Sequence, residues 1–205
     1  METVEIGGPE ALQKINDFLS LPVPDRKLDS GRTINRVTFL NHDDIARLLP
    51  EKGPFLFFAN NPVVTVKIDN DEIALGVMTV KEEFCRGHEI AGRLTLPLYM
   101  FGGAAGQLCA IFTTVLGGQR NKFVALAGSG SAKATEEGLI PLDSRVLFMV
   151  KMTEQVRISR AFNYEVYLNG CLMGRGEVST FYLPERVAFA KLNSARRRIT
   201  TWRCF

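Results

Sequence analysis

The pattern of apolar and polar positions changes character several times along the chain. Residues 9 to 20 place Leu12, Ile15, Phe18 and Leu19 at helical spacing, and Pro9 falls in a first turn where its missing N–H costs nothing. A short amphipathic helix is expected there. Residues 21 to 36 carry two prolines and many charges and read as a linker, with the main domain beginning near Val37. Asn41 and Asp43 precede a short helix from Asp44 to Leu49 that Pro50 stops, and a Gly53-Pro54 turn leads into the apolar run Phe55 to Phe58. Val63 to Ile68 and Glu72 to Val80 then read as two strands of a hairpin, joined through Asp69-Asn70-Asp71.

From Leu94 to Gln119 no charged residue occurs, a stretch long enough to cross a bilayer on length alone. Five glycines, Thr95, Thr113, Thr114 and two glutamines lie within it, and strand-like segments flank it. Those features favour a buried central helix, opened by Pro97, over a membrane span. Strand patterns follow at Lys122 to Ala127, Arg145 to Met152, Arg157 to Leu168 and Cys171 to Tyr182, with Asn169-Gly170 the strongest hairpin turn in the chain. Phe162, Tyr164, Val166 and Leu168 alternate with polar residues, as a sheet with one buried face requires. Two strands, one long apolar helix and four more strands predict an α+β fold in which an antiparallel sheet wraps around the helix.

Composition narrows the function classes. With 205 residues, 46% of them hydrophobic, the chain can bury a sizeable core in one domain. Fourteen Phe against one Trp and four Tyr suit a ring-filled interior better than a base-stacking surface, so no nucleic-acid partner is expected. The whole chain carries +3, yet Arg186 to Phe205 holds six basic residues and no acid, which leaves the preceding residues net negative. That tail reads as a solvated terminus, or as an arm for an acidic partner such as a carrier protein. Cys85, Cys109, Cys171 and Cys204 form no CxxC pair, and only His42 and His88 offer imidazole, so no metal site is expected and free thiols in a cytoplasmic setting are. Met1 to Gly8 is acidic and lacks the form of a signal peptide.

Four short motifs occur in order. They are Leu48-Leu49-Pro50-Glu51-Lys52-Gly53-Pro54-Phe55-Leu56, Phe84-Cys85-Arg86-Gly87-His88, Ala125-Leu126-Ala127-Gly128 and Ile140-Pro141-Leu142-Asp143. They resemble the LPHRYPFL, FFxGH, LAG and VPGD segments of the hotdog-fold β-hydroxyacyl-acyl carrier protein dehydratases, over about Asp44 to Leu183. The resemblance implies a hotdog domain over residues 37–184, with an N-terminal helical extension and linker at 1–36 and the basic tail at 185–205. It further implies an active site at a dimer interface, no cofactor, and an acyl thioester on an acyl carrier protein or coenzyme A as the partner. In that family a His removes the proton beside the thioester carbonyl, a Glu from the central helix of the other subunit protonates the leaving hydroxyl, and helix amides polarise the carbonyl.

His88 matches the family histidine. The family helix pattern PGVLxIEAxAQ maps without a gap onto Pro97 to Gln107, which places Gly103 where the catalytic acid belongs and Leu98 at the family glycine. Glycine cannot donate a proton. Tyr99 and Gln107 lie one turn either side of Gly103 on the same helix face and are the candidates to reach the vacant place, Tyr99 as a phenolic acid weaker than a carboxyl group. Leu98, Gly103 and Gln107 are the expected substrate-binding positions. The expected function is a dehydratase-like protein acting on β-hydroxyacyl thioesters in fatty-acid or polyketide-type synthesis. The alternative is an auxiliary hotdog subunit that binds acyl chains or pairs with a catalytic paralogue carrying the glutamate. Thioester hydrolysis ranks third, because no carboxylate can be named for it.

Overall fold

The structure is a computed structural model, and it describes residues 2–4, 8–24, 34–48, 57–58, 61–69, 71–116, 122–135, 139–157 and 159–184. The basic tail at 185–205 and the first motif from Leu49 to Leu56 lie outside the described residues, as does Asn70 of the expected hairpin turn. The chain order is β1 (Glu2–Val4), α1 (Gly8–Leu19), β2 (Ile34–Leu40), α2 (His42–Leu48), β3 (Val63–Ile68), β4 (Asp71–Thr79), α3 (Glu82–Cys85), β5 (Glu89–Ile90), β6 (Arg93–Leu94), α4 (Leu98–Leu116), β7 (Lys122–Ala134), β8 (Arg145–Val156), β9 (Ser159–Leu168) and β10 (Cys171–Pro184).

Eight strands form one antiparallel sheet in the order β1-β2-β3-β4-β8-β9-β10-β7, while β5 and β6 pair separately. The expected arrangement of a sheet around one long helix is present. Eighteen residues of α4, Leu98–Val115, are apolar and long enough to cross a membrane, but 72% of them are buried inside the protein, so α4 is the core helix.

Two apolar clusters lie on opposite faces of the sheet. On the inner face Ala104, Leu108, Ile111 and Phe112 of α4 pack with Met78, Phe148, Phe162 and Val166. On the outer face Ala11, Ile15 and Leu19 of α1 pack over Val66, Leu75, Val77 and Leu147. Burying each such Ile or Leu is worth roughly 1.5–3 kcal/mol, which holds α1 in place. Arg145 adds to this by donating to the carbonyls of Leu19 and Ser20 at 3.0 and 3.2 Å, at the helix end where carbonyls lack partners.

This double cover explains the sequence of β3 and β4. Both faces are buried there, so the strands read as nearly continuous apolar runs. In β9 only the inner face is fully covered, and the buried residues Phe162, Tyr164 and Val166 alternate with Asn163 and Glu165. Asn169 and Gly170, at φ 51° and 80°, make the β9–β10 turn with the positive angles of a type I′ hairpin.

Pairing also makes strand where the sequence signal is weak or absent: β8 continues past Met152 to Val156 against β9. β7 runs on through Gly128-Ser129-Gly130-Ser131 to Ala134, because β10 pairs with it along that length through two register shifts. β2 begins at Ile34, inside the charged stretch read as a linker, and is held there by pairing with β3.

Candidate functional site

Short-range geometry fixes His88. After α3 ends, Gly87 turns the chain at φ 77°, a conformation that L side chains rarely adopt. The His88 N–H donates to the Cys85 carbonyl at 2.9 Å, and the Thr95 N–H donates to the His88 carbonyl at 3.1 Å. Between them β5 and β6 form a small hairpin whose turn residues, Ala91 and Gly92, have φ 50° and 74°. From the far side, the Leu96 N–H donates to Ile140 at 2.8 Å and the Leu142 N–H to Leu94 at 3.1 Å. The fourth motif, Ile140 to Asp143, thereby braces the second, Phe84 to His88.

The imidazole of His88 is half-buried, with Nδ1 at 2.9 Å from Thr95 Oγ1 and 3.3 Å from the Thr95 carbonyl oxygen. The Thr95 carbonyl can only accept and its hydroxyl can donate or accept, so Thr95 holds Nδ1 in either tautomer and is bonded at both oxygens when Nδ1 carries the proton. In that tautomer Nε2 carries the lone pair, and among the described residues it has no hydrogen-bond partner. An imidazole in that state can act as a base or accept a hydrogen bond from a ligand.

Thr95, 2% exposed, lies three residues before α4, so the ring is anchored beside the start of that helix. Along one face of α4, exposure falls from Tyr99 at 69% to the partly exposed Gly103 and then to Gln107 at 7%. Gln107 Oε1 accepts the Phe57 N–H at 3.0 Å, and the Phe57 ring lies over Gly103. Phe57 also meets Phe84 with ring centroids 5.0 Å apart. Phe84, Gly87 and His88 are close in sequence, so the aromatic wall and the imidazole belong to one short segment.

Glycine at 103 differs from the neighbouring sheet glycines in its surroundings. A Cβ at Gly76, Gly174 or Gly176 would come within 2.7 Å of Phe58, 2.7 Å of Phe101 or 2.4 Å of the Ser131 carbonyl, whereas a Cβ at Gly103 would meet Phe57 no closer than 3.4 Å. The sheet glycines make room for rings and backbone. Gly103 does not need to, although glycine inside a helix costs roughly 0.5–1 kcal/mol against alanine.

The structure therefore joins His88 to Thr95 and Gln107 to Phe57. It records no hydrogen bond between His88 and Tyr99 or Gln107 among the described residues. Leu98 is half-buried in the first turn of α4, and its side chain packs against the inner core. Two site residues carried no signal in sequence. Thr95 is one threonine in an uncharged run, and Phe57 is one ring in an apolar run, so only their neighbours in space give them a role.

Cys85 and Cys109 are both fully buried, and Cys171 is exposed. Burial raises the Cys85 thiol above its usual range and the negative charge of Asp143 adds to that, while burial alone drives Cys109 higher still. Neither is an activated nucleophile. Among the described residues no group of three His, Cys, Asp or Glu side chains converges as a metal site would require.

No protein-family profile matches the chain, and no curated protein sequence does. Its fold is nevertheless similar to solved structures. The dehydratase heterocomplex ApeI:P from Xenorhabdus doucetiae has a chain that superposes with a TM-score of 0.56 at 13% identity, covering 73% of this chain and 97% of that one. A Thermus thermophilus hypothetical protein of the thioesterase superfamily gives 0.53 at 16% identity, over 63% and 93% of the two chains. The fluoroacetyl-CoA-specific thioesterase FlK gives 0.50 at 8%, over 60% and 94%. With its antiparallel sheet wrapped around α4, the chain has the hotdog fold, which it shares with a dehydratase and with members of the thioesterase superfamily.

Proposed function

We propose that this protein binds β-hydroxyacyl thioesters, presented by an acyl carrier protein or coenzyme A, and takes part in their dehydration with His88 as the base. The observation that carries this reading is the imidazole held through Nδ1 by Thr95, with Nε2 unpartnered beside the start of α4. In the reaction Nε2 takes the proton from the carbon next to the thioester carbonyl. The carbon–carbon double bond forms as the β-hydroxyl departs, and that hydroxyl leaves as water once it is protonated. No residue of α4 supplies a carboxyl group, so the source of that last proton divides the reading in two.

In the first form, a phenol or water does the work, with Tyr99 the candidate at the exposed end of the face. In the second, a paralogue brings the acid and this chain supplies His88. The second form has two supports. Among the described residues β7 pairs only with β10, so its outer edge offers unpaired backbone groups to another chain. The similar dehydratase is itself a heterocomplex. Work on carrier-bound acyl groups in biosynthesis also suits a cytoplasmic site.

The test is to incubate the purified chain with a β-hydroxyacyl carrier protein and follow the loss of water by mass spectrometry. Turnover that His88→Ala abolishes supports the first form. Turnover only after addition of a glutamate-bearing paralogue, again lost with His88→Ala, supports the second. Release of free acid instead would replace dehydration with thioester hydrolysis, and inactivity in every arm with unchanged behaviour of His88→Ala would refute the base role.

A further inference from the structure

We infer that the outer face of the sheet carries a second ligand site, a cleft on β7, β9 and β10 that binds a small phosphomonoester bearing hydroxyl groups, with Arg175 and Lys133 on the phosphate and Glu177 on a hydroxyl. The cleft lies across the sheet from α4, and the inference does not depend on the acyl-thioester reading.

Strand register brings the charges together. Arg175 of β10 stands opposite Glu165 of β9 on one side and Lys133 of β7 on the other, and residues opposite one another in an antiparallel pair share a face. An ion pair between Arg175 and Glu165 would be the ordinary outcome. Instead the Glu165 carboxylate accepts from the Tyr167 hydroxyl at 2.6 Å. Burial raises the Tyr167 phenol far above its usual range, with Glu165 adding to the rise, so the phenol keeps its proton and its hold on that carboxylate. Two exposed cations are left side by side. Among the described residues neither Arg175 nor Lys133 makes an ion pair or a side-chain hydrogen bond. Like charges opposite each other weaken a sheet, and an anion held between them removes the repulsion.

The surface is hollowed at the same place. A cleft of about 240 Å³ opens between Lys133 and Arg175 and the next row of the same face, Ser131, Glu177 and Asn163. All of its lining belongs to the described residues. Between the pairs Gly176–Ala132 and Val178–Ser129 the register shifts, so Gly130 and Ser131 of β7 stand against Glu177 alone. Such a bulge bends its strand and re-aims the side chains beside it.

The groups around the cleft select the ligand class. Two cations match the nearly double charge of a phosphomonoester better than the single charge of a carboxylate, and a guanidinium beside an ammonium suits its three oxygens. Glu177 is exposed, makes no side-chain bond among the described residues and can only accept, so it calls for a hydroxyl donor on the same molecule. Asn163 can serve either part. With Glu165 and Glu177 beside the cations, a long polyanion is disfavoured.

The experiment is titration calorimetry of the full chain at low ionic strength with inorganic phosphate, glycerol 3-phosphate, glycerol and acetate, alongside thermal melting and light scattering. Glycerol 3-phosphate should bind about tenfold more tightly than inorganic phosphate, while glycerol and acetate give no signal. Arg175→Gln and Lys133→Gln should each weaken both phosphates about tenfold, the effect of losing a charged hydrogen bond. Glu177→Gln should remove the preference for glycerol 3-phosphate and leave inorganic phosphate bound at least as tightly, a split that loss of folding cannot produce. These side chains are exposed, so none of the variants should lower Tm appreciably. If the wild type binds neither phosphate, or if Arg175→Gln binds both as the wild type does, the site is wrong. Acetate binding as tight as that of phosphate would overturn the ligand class. A change of oligomeric state in Arg175→Gln without ligand would also overturn the proposal, making this face an interface between copies of the chain.

Discussion

Up to Gln107, α4 meets the rest of the molecule through glycines, alanines, the Phe57 ring and one fully buried ring of its own, Phe101, which lies edge-on to Phe148 of β8, whereas from Leu108 onward it meets the sheet through a run of large side chains. In the first half Gly102, Gly103 and Gly106 weaken the helix, and Tyr99 is left to solvent. In the second half Leu108, Ile111 and Phe112 are buried, with Phe112 edge-on to Phe162 at 5.3 Å. Arg160 from β9 donates to the Thr113 carbonyl at 3.3 Å, bringing positive charge to the end of a helix that has no basic residue in its last turn. The difference concentrates the packing of α4 in its second half. Burial there, worth roughly 1.5–3 kcal/mol per large side chain, offsets the helix-weakening glycines of the first half.

The largest effect expected from this contrast is at Phe112. Phe112→Ala should cost about 3–5 kcal/mol in denaturant unfolding, because it leaves a cavity against Phe162, and ligand binding by the remaining folded protein should be unchanged. An equal loss of binding would show that the two halves are not independent.

A smaller cost, about 1–3 kcal/mol, is expected for Gly174→Ala, which drives a methyl group into the Phe101 ring. Phe101 belongs to the first half of α4, so this variant asks how firmly that half is packed. A neutral result in thermal melting would mean that Phe101 shifts freely. Gln107→Leu should cost a similar or slightly smaller amount, about 1–3 kcal/mol, since it leaves the buried Phe57 N–H without its acceptor. Unlike Gly174→Ala it acts through Phe57, and thermal melting of the two variants compares the two contacts.

The smallest effect concerns two buried thiols, Cys85 at the end of α3 and Cys109 in the second half of α4. Both Cys85 and Cys109 have folded-state values raised above the ordinary thiol range, so the folded protein holds its protons more tightly than the unfolded chain. The stabilisation is complete below about pH 8.5, the ordinary thiol value, and declines as pH rises beyond it. Of the three cysteines among the described residues, iodoacetamide labelling read by mass spectrometry should modify Cys171 first. Cys85, at the end of the one-turn α3, should react through local opening, and Cys109, in the core of α4, only on global unfolding. Labelling of Cys109 ahead of Cys85 would reverse the ranking of the two regions.

Strand and helix identities were legible wherever one local rule dominated. The charge-free run gave α4, Asn169-Gly170 gave the β9–β10 hairpin, and the alternation from Phe162 gave the buried face of β9. Elements with little local signal were missed. These are β1, all of β2, the one-turn α3, the β5–β6 hairpin, the glycine-serine part of β7 and the end of β8 beyond Met152. Each exists because a neighbour supplies hydrogen bonds that its own residues would not secure alone. The candidate site divides in the same way. His88 stood out through Gly87 and its motif, while the threonine that orients its ring and the phenylalanine over Gly103 did not.

The sequence by itself determined the antiparallel sheet around a central helix and the absence of a carboxyl group along that helix, because charge, periodicity and turn chemistry are properties of nearby residues, while the hotdog class came from the resemblance of its four motifs to a known family. Only the tertiary structure decided which nitrogen of His88 is held, that α1 covers the outer face of the sheet, and that the Phe57 ring lies over Gly103. Those facts depend on contacts that the local pattern does not specify. Thr95 and His88 meet across the small β5–β6 hairpin, and Phe57 and Gln107 are 50 residues apart, with the β3–β4 hairpin, α3 and the β5–β6 hairpin between them. Such contacts are set by how whole elements pack, and no local pattern encodes them.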